Sequence, residues 1–153
     1  MIEAWAGGGD AEDDRISRPG VSTGRDEERA RTRVLVVDDD LSILDTVSAI
    51  LTGEGYQVMS ANGGVEAMAL LRSWHPTLVL LDMRMPVMDG WAVARAMRET
   101  GSRVPVVVMT AAENARRWAD EIGAAGHIAK PFGLDELITC VERHASRGGR
   151  SQH

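Results

Sequence analysis

The sequence predicts an α/β sandwich around a five-stranded parallel sheet in the order 2-1-3-4-5, and three observations carry that expectation. Short apolar runs alternate with segments of helical periodicity along the whole central part of the chain. Two of the runs, Val34–Val37 and Leu78–Leu81, are apolar at consecutive positions, as strands covered on both faces are. The connections are short, which makes each strand–helix–strand passage a right-handed crossover between parallel strands.

Residues 1–31 differ from the rest. Eight acidic residues, five arginines and few apolar residues beyond Ile2, Trp5, Ile16 and Val21 leave little surface to bury, so this stretch reads as a disordered acidic N-terminal extension. A docking segment using Trp5, or a start codon assigned too far upstream, would look the same, and nothing in the sequence separates these readings. The domain is expected over 32–146, with 147–153 a flexible C-terminal tail.

From Arg33 the elements follow in order. Val34–Val37 is a strand that runs into Asp38, Asp39 and Asp40, and 42–51 is a helix with Ile43, Leu44, Val47, Ile50 and Leu51 at helical spacing, closed by Gly53 and Gly55. Residues 57–60 form a short strand. A helix follows over 65–74, with Val65, Met68, Ala69, Leu71 and Arg72 at helical intervals, and His75-Pro76 ends it. Leu78–Leu81 is the buried strand that stops at Asp82, before a loop containing Pro86 and Asp89-Gly90. Next come a helix over 91–98 with Val93, Ala94 and Met97 inward, and a strand over 104–109 that tolerates Pro105 near its start. A weaker helix over 114–122, a strand over 126–129 ending at Lys130-Pro131, and a helix over 134–144 with Leu134, Leu137, Ile138 and Val141 in one stripe complete the chain.

Composition narrows the function. With 153 residues, 44% hydrophobic and 26% charged, the chain fits one globular domain and leaves no room for a second catalytic or DNA-binding one. A net charge of −6 with no basic stripe argues against direct nucleic-acid binding. One cysteine, Cys140, excludes an internal disulfide, and there is no signal-peptide or membrane-spanning run, so the expected location is the cytoplasm, away from membranes.

In the order 2-1-3-4-5 the first and third strands are neighbours. Asp38 and Asp39 therefore lie beside Asp82 at the carboxyl edge of the sheet, where ligands bind in open α/β folds, and Thr110 and Lys130 arrive on the next two strands. Two carboxylates about 4 Å apart repel by roughly 4 kcal/mol at an effective dielectric near 20, so the cluster calls for a cation. Oxygen donors without histidine or cysteine select Mg²⁺, or alternatively Mn²⁺, over zinc. A divalent metal, a lysine and a hydroxyl around a central carboxylate suit phosphoryl transfer to that carboxylate. Lys130 is the only lysine, against sixteen arginines. A compact ammonium fits a tight oxyanion pocket that a planar guanidinium would not.

The motifs VVDDD (36–40), LLDMRMPVMDG (80–90), MTA (109–111) and AKPF (129–132), in this order, resemble the receiver domain of bacterial two-component response regulators. The resemblance covers about 33–146, is of the stand-alone, chemotaxis-regulator-like type, and implies a flavodoxin-like three-layer α/β/α sandwich. It implies that Asp82 accepts a phosphoryl group from a sensor histidine kinase or a histidine phosphotransfer protein. Asp39 would be a direct Mg²⁺ ligand, Asp38 would act mainly through water, and the Arg84 backbone carbonyl would supply the third protein ligand. Thr110 and Lys130 would each hold a phosphoryl oxygen, and the Lys130–Pro131 bond would be cis. Asp40 is instead expected to cap the following helix.

The output would be binding of a downstream target protein, unknown from sequence, through the helix 114–122, strand 126–129 and helix 134–144. Only self-catalysed phosphorylation and dephosphorylation are expected, with no metabolic turnover. His127 stands where the family commonly has an inward-turning aromatic residue, and with Thr110 it is the expected switch; a plain surface histidine is the alternative. Arg84 and Ala112 occupy positions that in the family tune the lifetime of the phosphoryl group. Trp74, Trp91, Trp118 and Cys140 read as packing residues. Three rivals fare worse. A flavin mononucleotide carrier would need a Ser/Thr/Gly-rich phosphate loop in place of the acidic trio. A haloacid-dehalogenase-type phosphatase would need a general acid where Arg84 stands. A purely unphosphorylated scaffold would not need the full set of five polar residues.

Overall fold

In a computed structural model, residues 24–151 are described, with side chains as far as Ala145. The elements are α1 (Gly24–Arg31), β1 (Arg33–Val37), α2 (Leu41–Gly53), β2 (Gln57–Ala61), α3 (Gly64–Leu71), β3 (Leu78–Asp82), α4 (Gly90–Glu99), β4 (Val106–Ala111), α5 (Ala112–Ile122), β5 (Gly126–Lys130) and α6 (Leu134–Ser151). All five strands are parallel and lie in the order β2-β1-β3-β4-β5, as the sequence predicts.

Each strand sends alternate residues to opposite faces, so the consecutive apolar runs fill two cores. Leu35, Val37, Val79 and Leu81 pack with Val93, Met97, Trp118 and Ile122 on the α3/α4/α5 side. Val34, Val36, Leu78 and Leu80 pack with Leu44, Val47, Leu51, Leu137 and Val141 on the α2/α6 side. Every residue of β3 is buried, including Asp82 at its end.

Several sequence expectations are corrected. The N-terminal extension was placed through Arg31, but Gly24–Arg31 is a helix docked on the domain. Arg29 explains it: the guanidinium pairs with Glu54 at 3.0 Å and with Glu142, donates to the Glu54 carbonyl at 3.1 Å and lies 5.5 Å from the Tyr56 ring centroid. Gln57 Nε2 also donates to the Ala30 carbonyl at 2.6 Å. A count of apolar residues misses a segment anchored by one long cation. The readings of residues 1–23, Trp5 among them, fall outside the described residues. Replacing Arg29 with Ala is expected to cost about 1 kcal/mol, since its partners are partly solvated. The check is a lowered urea midpoint together with faster proteolysis within 24–31.

At the other end α6 continues to Ser151, past the expected boundary at 146, so the tail is largely helical. Helix α3 stops at Leu71 rather than 74, because the residues before Pro76 are pushed out of helical geometry. Val65 and Ala69 of α3 and Leu134 of α6 face solvent; Ala67 and Leu137 carry the burial instead. Strand β4 starts at Val106, since Pro105 contributes only its carbonyl, which accepts from the Val79 N–H at 3.0 Å. Cys140 packs against the α2/α6 core, and burial pushes its thiol up to about 11, as suits an inert filler.

Two close approaches shape the loop after β3. A Cβ on Gly90 would lie 2.7 Å from the Asp82 carbonyl and from Met83 Cα, and one on Gly64 would lie 2.4 Å from the Met88 carbonyl. Backbone atoms cannot yield as a side-chain tip can. Gly90→Ala is therefore expected to displace the end of β3 and cost about 1–3 kcal/mol, read as a lower unfolding midpoint with altered amide shifts at Asp82 and Met83.

Candidate functional site

The register of the sheet assembles the site. Val37 pairs with Leu81, so Asp38, one step on, stands beside Asp82; Asp82 pairs with Met109, which puts Thr110 next along β4; Ala111 pairs with Lys130. These are the residues the sequence places at the carboxyl edge, and the structure brings them together. Asp38 is wholly buried and Asp82 and Thr110 are each 5% exposed, whereas Asp39 is open to solvent. The pocket is thus reached from the Asp39 side.

Each of Asp38, Asp39 and Asp82 offers a carboxylate oxygen, and these atoms lie within 4.8 Å of one another. An all-oxygen set with one open flank fits a hard divalent cation that keeps part of its water. Lys130 Nζ donates to Asp38 Oδ2 at 2.6 Å and sits 3.6 Å from Asp82 Oδ1. Burial opposes the lysine's charge, but the Asp38 hydrogen bond and the fields of Asp82 and Asp38 outweigh it and raise its pKa. Burial first, then the charge of Asp38, pushes Asp82 up to about 7, against the downward pull of Lys130 and the Arg84 N–H. Without a further cation, the Asp82 carboxylate is a group held close to neutrality. The Lys130–Pro131 bond is cis, as the resemblance implies.

Asp40 takes the capping role expected of it. Its side chain accepts from the Ser42 N–H at 2.9 Å and the Ile43 N–H at 3.4 Å, while its own N–H donates to Asp38 Oδ1 at 3.0 Å. One residue therefore starts α2 and orients a carboxylate of the cluster. Asp89 caps α4 in the same way, accepting from Ala92 N–H at 3.0 Å.

Arg84 follows two residues after Asp82, and its backbone N–H points to Asp82 Oδ1 at 3.5 Å, a long contact. Its guanidinium turns away over the ring of Trp118, 5.4 Å from the centroid. His127 is exposed on β5, opposite Val108 in the register, and lines a groove with Asp135, Glu136, Thr139 and Cys140. The contribution of Gly64 escaped the sequence reading, although the doubled Gly63-Gly64 at a helix start, with Gly63 at φ 105°, is a legible signal of a close approach.

A doubly wound sheet that presents three carboxylates, a hydroxyl and an ammonium at its carboxyl edge defines the class of chemotaxis-regulator-like receiver proteins. The family model described as response regulator receiver domain matches residues 34–142, and the chain belongs to that family, part of the two-component signalling systems. The response regulator MprA of Mycobacterium sp. (strain KMS) is 41% identical over 108 residues, covering 69% of this chain and 47% of its own. The chain thus spans about half the length of the curated relatives it matches. The Vibrio cholerae chemotaxis protein CheY4 superimposes with a TM-score of 0.69 at 31% identity, over 74% of this chain and 98% of that one. The receiver domain of the Francisella response regulator 1452 gives 0.70 at 27% identity, over 76% and 98%. Among the described residues, no helix is long and apolar enough to cross a membrane.

Proposed function

We propose that Asp82 is the phosphoacceptor of this receiver and that a histidine kinase or histidine phosphotransfer protein is the donor. The observation that carries the reading is Lys130 Nζ lying between Asp38 and Asp82, at 2.6 and 3.6 Å, at the mouth of an otherwise acidic pocket. An Asp82 carboxylate oxygen attacks phosphorus, a P–O bond forms, the P–N bond to the donor imidazole breaks, and the imidazole keeps the electron pair. Lys130 turns from Asp82 to a phosphoryl oxygen, and the Thr110 hydroxyl donates to another. Mg²⁺ held by Asp38, Asp39, Asp82 and the Arg84 carbonyl would supply neutralisation of the charge that gathers on the phosphoryl oxygens. Mn²⁺ would serve in its place.

Burial and the charge of Asp38 push the Asp82 pKa up, so a cation beside it favours the ionised carboxylate, the form that attacks phosphorus. Phosphorylation is expected to depend on the metal, which would both favour ionised Asp82 and neutralise charge on the phosphoryl oxygens. The product signals by binding a downstream protein, and the exchange takes place in the cytoplasm of a bacterial cell. The test is intact-mass analysis after incubation with acetyl phosphate and Mg²⁺. The native chain should gain one acid-labile phosphoryl group, and neither Asp82→Asn nor native protein in chelator should gain any. An unmodified native chain with both acetyl phosphate and kinase donors would overturn the reading.

A further inference from the structure

Arg84 is a solvent-exposed cation two residues beyond Asp82, and among the described residues no carboxylate lies within ion-pair distance of it. Its guanidinium rests on an aromatic face instead, that of Trp118 on α5. Trp118 is only 6% exposed and is itself fixed. It meets Trp91 of α4 edge to face, with centroids 4.9 Å apart and planes at 67°, and Trp91 Nε1 donates to Glu121 Oε1 of α5 at 2.9 Å. A continuous set of contacts therefore runs from the loop that follows Asp82 to the first turn of α4 and on to α5.

The two ends of Arg84 have different attachments. Its backbone N–H is directed at Asp82 Oδ1, so a side chain rooted there reaches whatever is joined to that carboxylate. Its guanidinium is held by a cation–π contact, its own exposed side over the buried Trp118 ring, a weaker attraction than a charge-assisted hydrogen bond to an anion. A phosphoryl group on Asp82 would offer several anionic oxygens to a planar fork of donors, a stronger charge-assisted arrangement. Leaving the ring also costs little, because Arg117 lies over the same Trp118 at 6.0 Å and stays.

We propose that Trp118 is a positioning residue for Arg84: it holds the guanidinium off the pocket while Asp82 is free, and releases it to the phosphoryl oxygens once Asp82 is loaded. The movement changes the environment of Trp118 and so carries the state of Asp82 to the contact between α4 and α5. The inference rests on the assignment of Asp82 as phosphoacceptor. The rearrangement itself makes and breaks no covalent bond; the guanidinium only exchanges one set of contacts for another.

The test uses the full chain, ¹⁵N-labelled, with beryllium fluoride and Mg²⁺ as the probe, following the indole N–H signal of Trp118, assigned by its loss in Trp118→Phe. The backbone N–H of Met83 reports loading of the neighbouring Asp82. In the native chain both signals should move. In Arg84→Gln the Trp118 signal should start displaced, with little further movement on loading, and Arg84→Lys should restore two distinct positions, because an ammonium also binds a ring face. If Met83 moves and Trp118 does not, or if Trp118 moves equally in Arg84→Gln, the positioning role is wrong. If Met83 does not move, the assignment of Asp82 falls and this inference with it.

Discussion

Lys130→Met should lower the stability of the metal-free protein by about 3 kcal/mol, because it removes the ammonium that pairs with a wholly buried Asp38. Asp38 and Asp82 would then face each other without the ammonium, Asp38 still accepting from the Asp40 N–H and Asp82 from the more distant Arg84 N–H. Added Mg²⁺ should recover much of the loss, since the remaining carboxylates are the proposed metal ligands. The rate of phosphorylation by acetyl phosphate should not recover: loss of one donor to the developing oxyanion typically costs on the order of 10²–10³-fold. Lys130→Arg should restore more of the stability than of the rate, because a guanidinium supplies charge but not the compact geometry. Denaturation with and without Mg²⁺, alongside adduct formation over time, separates the two effects.

The second large effect is a pH dependence. Asp82 ionises near 7 in the folded protein and near 3.8 in the unfolded chain, so between these values the folded state binds the extra proton. Stability falls as pH rises wherever the folded state holds more protons. The metal-free native protein should therefore lose stability progressively from about pH 4 to pH 7 on this account, by a few kcal/mol, and reach a plateau above. Asp82→Asn removes the titration and should be the more stable protein at pH 8, with little advantage at pH 4. Mg²⁺ favours the ionised carboxylate and should shrink the difference at pH 8. Unfolding midpoints at the two pH values, in chelator and in Mg²⁺, measure all three comparisons.

The fold was legible because its strands announce themselves. Val34–Val37 and Leu78–Leu81 are apolar at every position, a pattern that suits strands covered on both faces; the more mixed β2 and β5 are marked instead by their alternation with helices, and the observed order is the common one for five such strand–helix units. The candidate site was legible for a related reason, since side chains at strand ends are placed by register alone, and Asp38, Asp82, Thr110 and Lys130 all stand at strand ends. What escaped depends on side chains that reach across elements. Arg29 ties α1 to Glu54, Glu142 and Tyr56, residues 25 or more positions away, and no local pattern records that. The stacking of Arg84 on Trp118 is of the same kind. Helix faces are less legible: on the short α3, Val65 sits at a helical interval yet points to solvent, because Ala67, with Met68, Leu70 and Leu71, takes the contact with the core.

The central claim is that one carboxylate, that of Asp82, carries the phosphoryl group. An acyl phosphate is reduced by borohydride to the alcohol, which marks its aspartate permanently as homoserine. Native protein treated with acetyl phosphate and Mg²⁺, then borohydride, then digested and mapped by mass spectrometry, should contain homoserine at position 82 alone. Homoserine at 38 or 39, or at no position while the intact mass shows an adduct, would contradict the account.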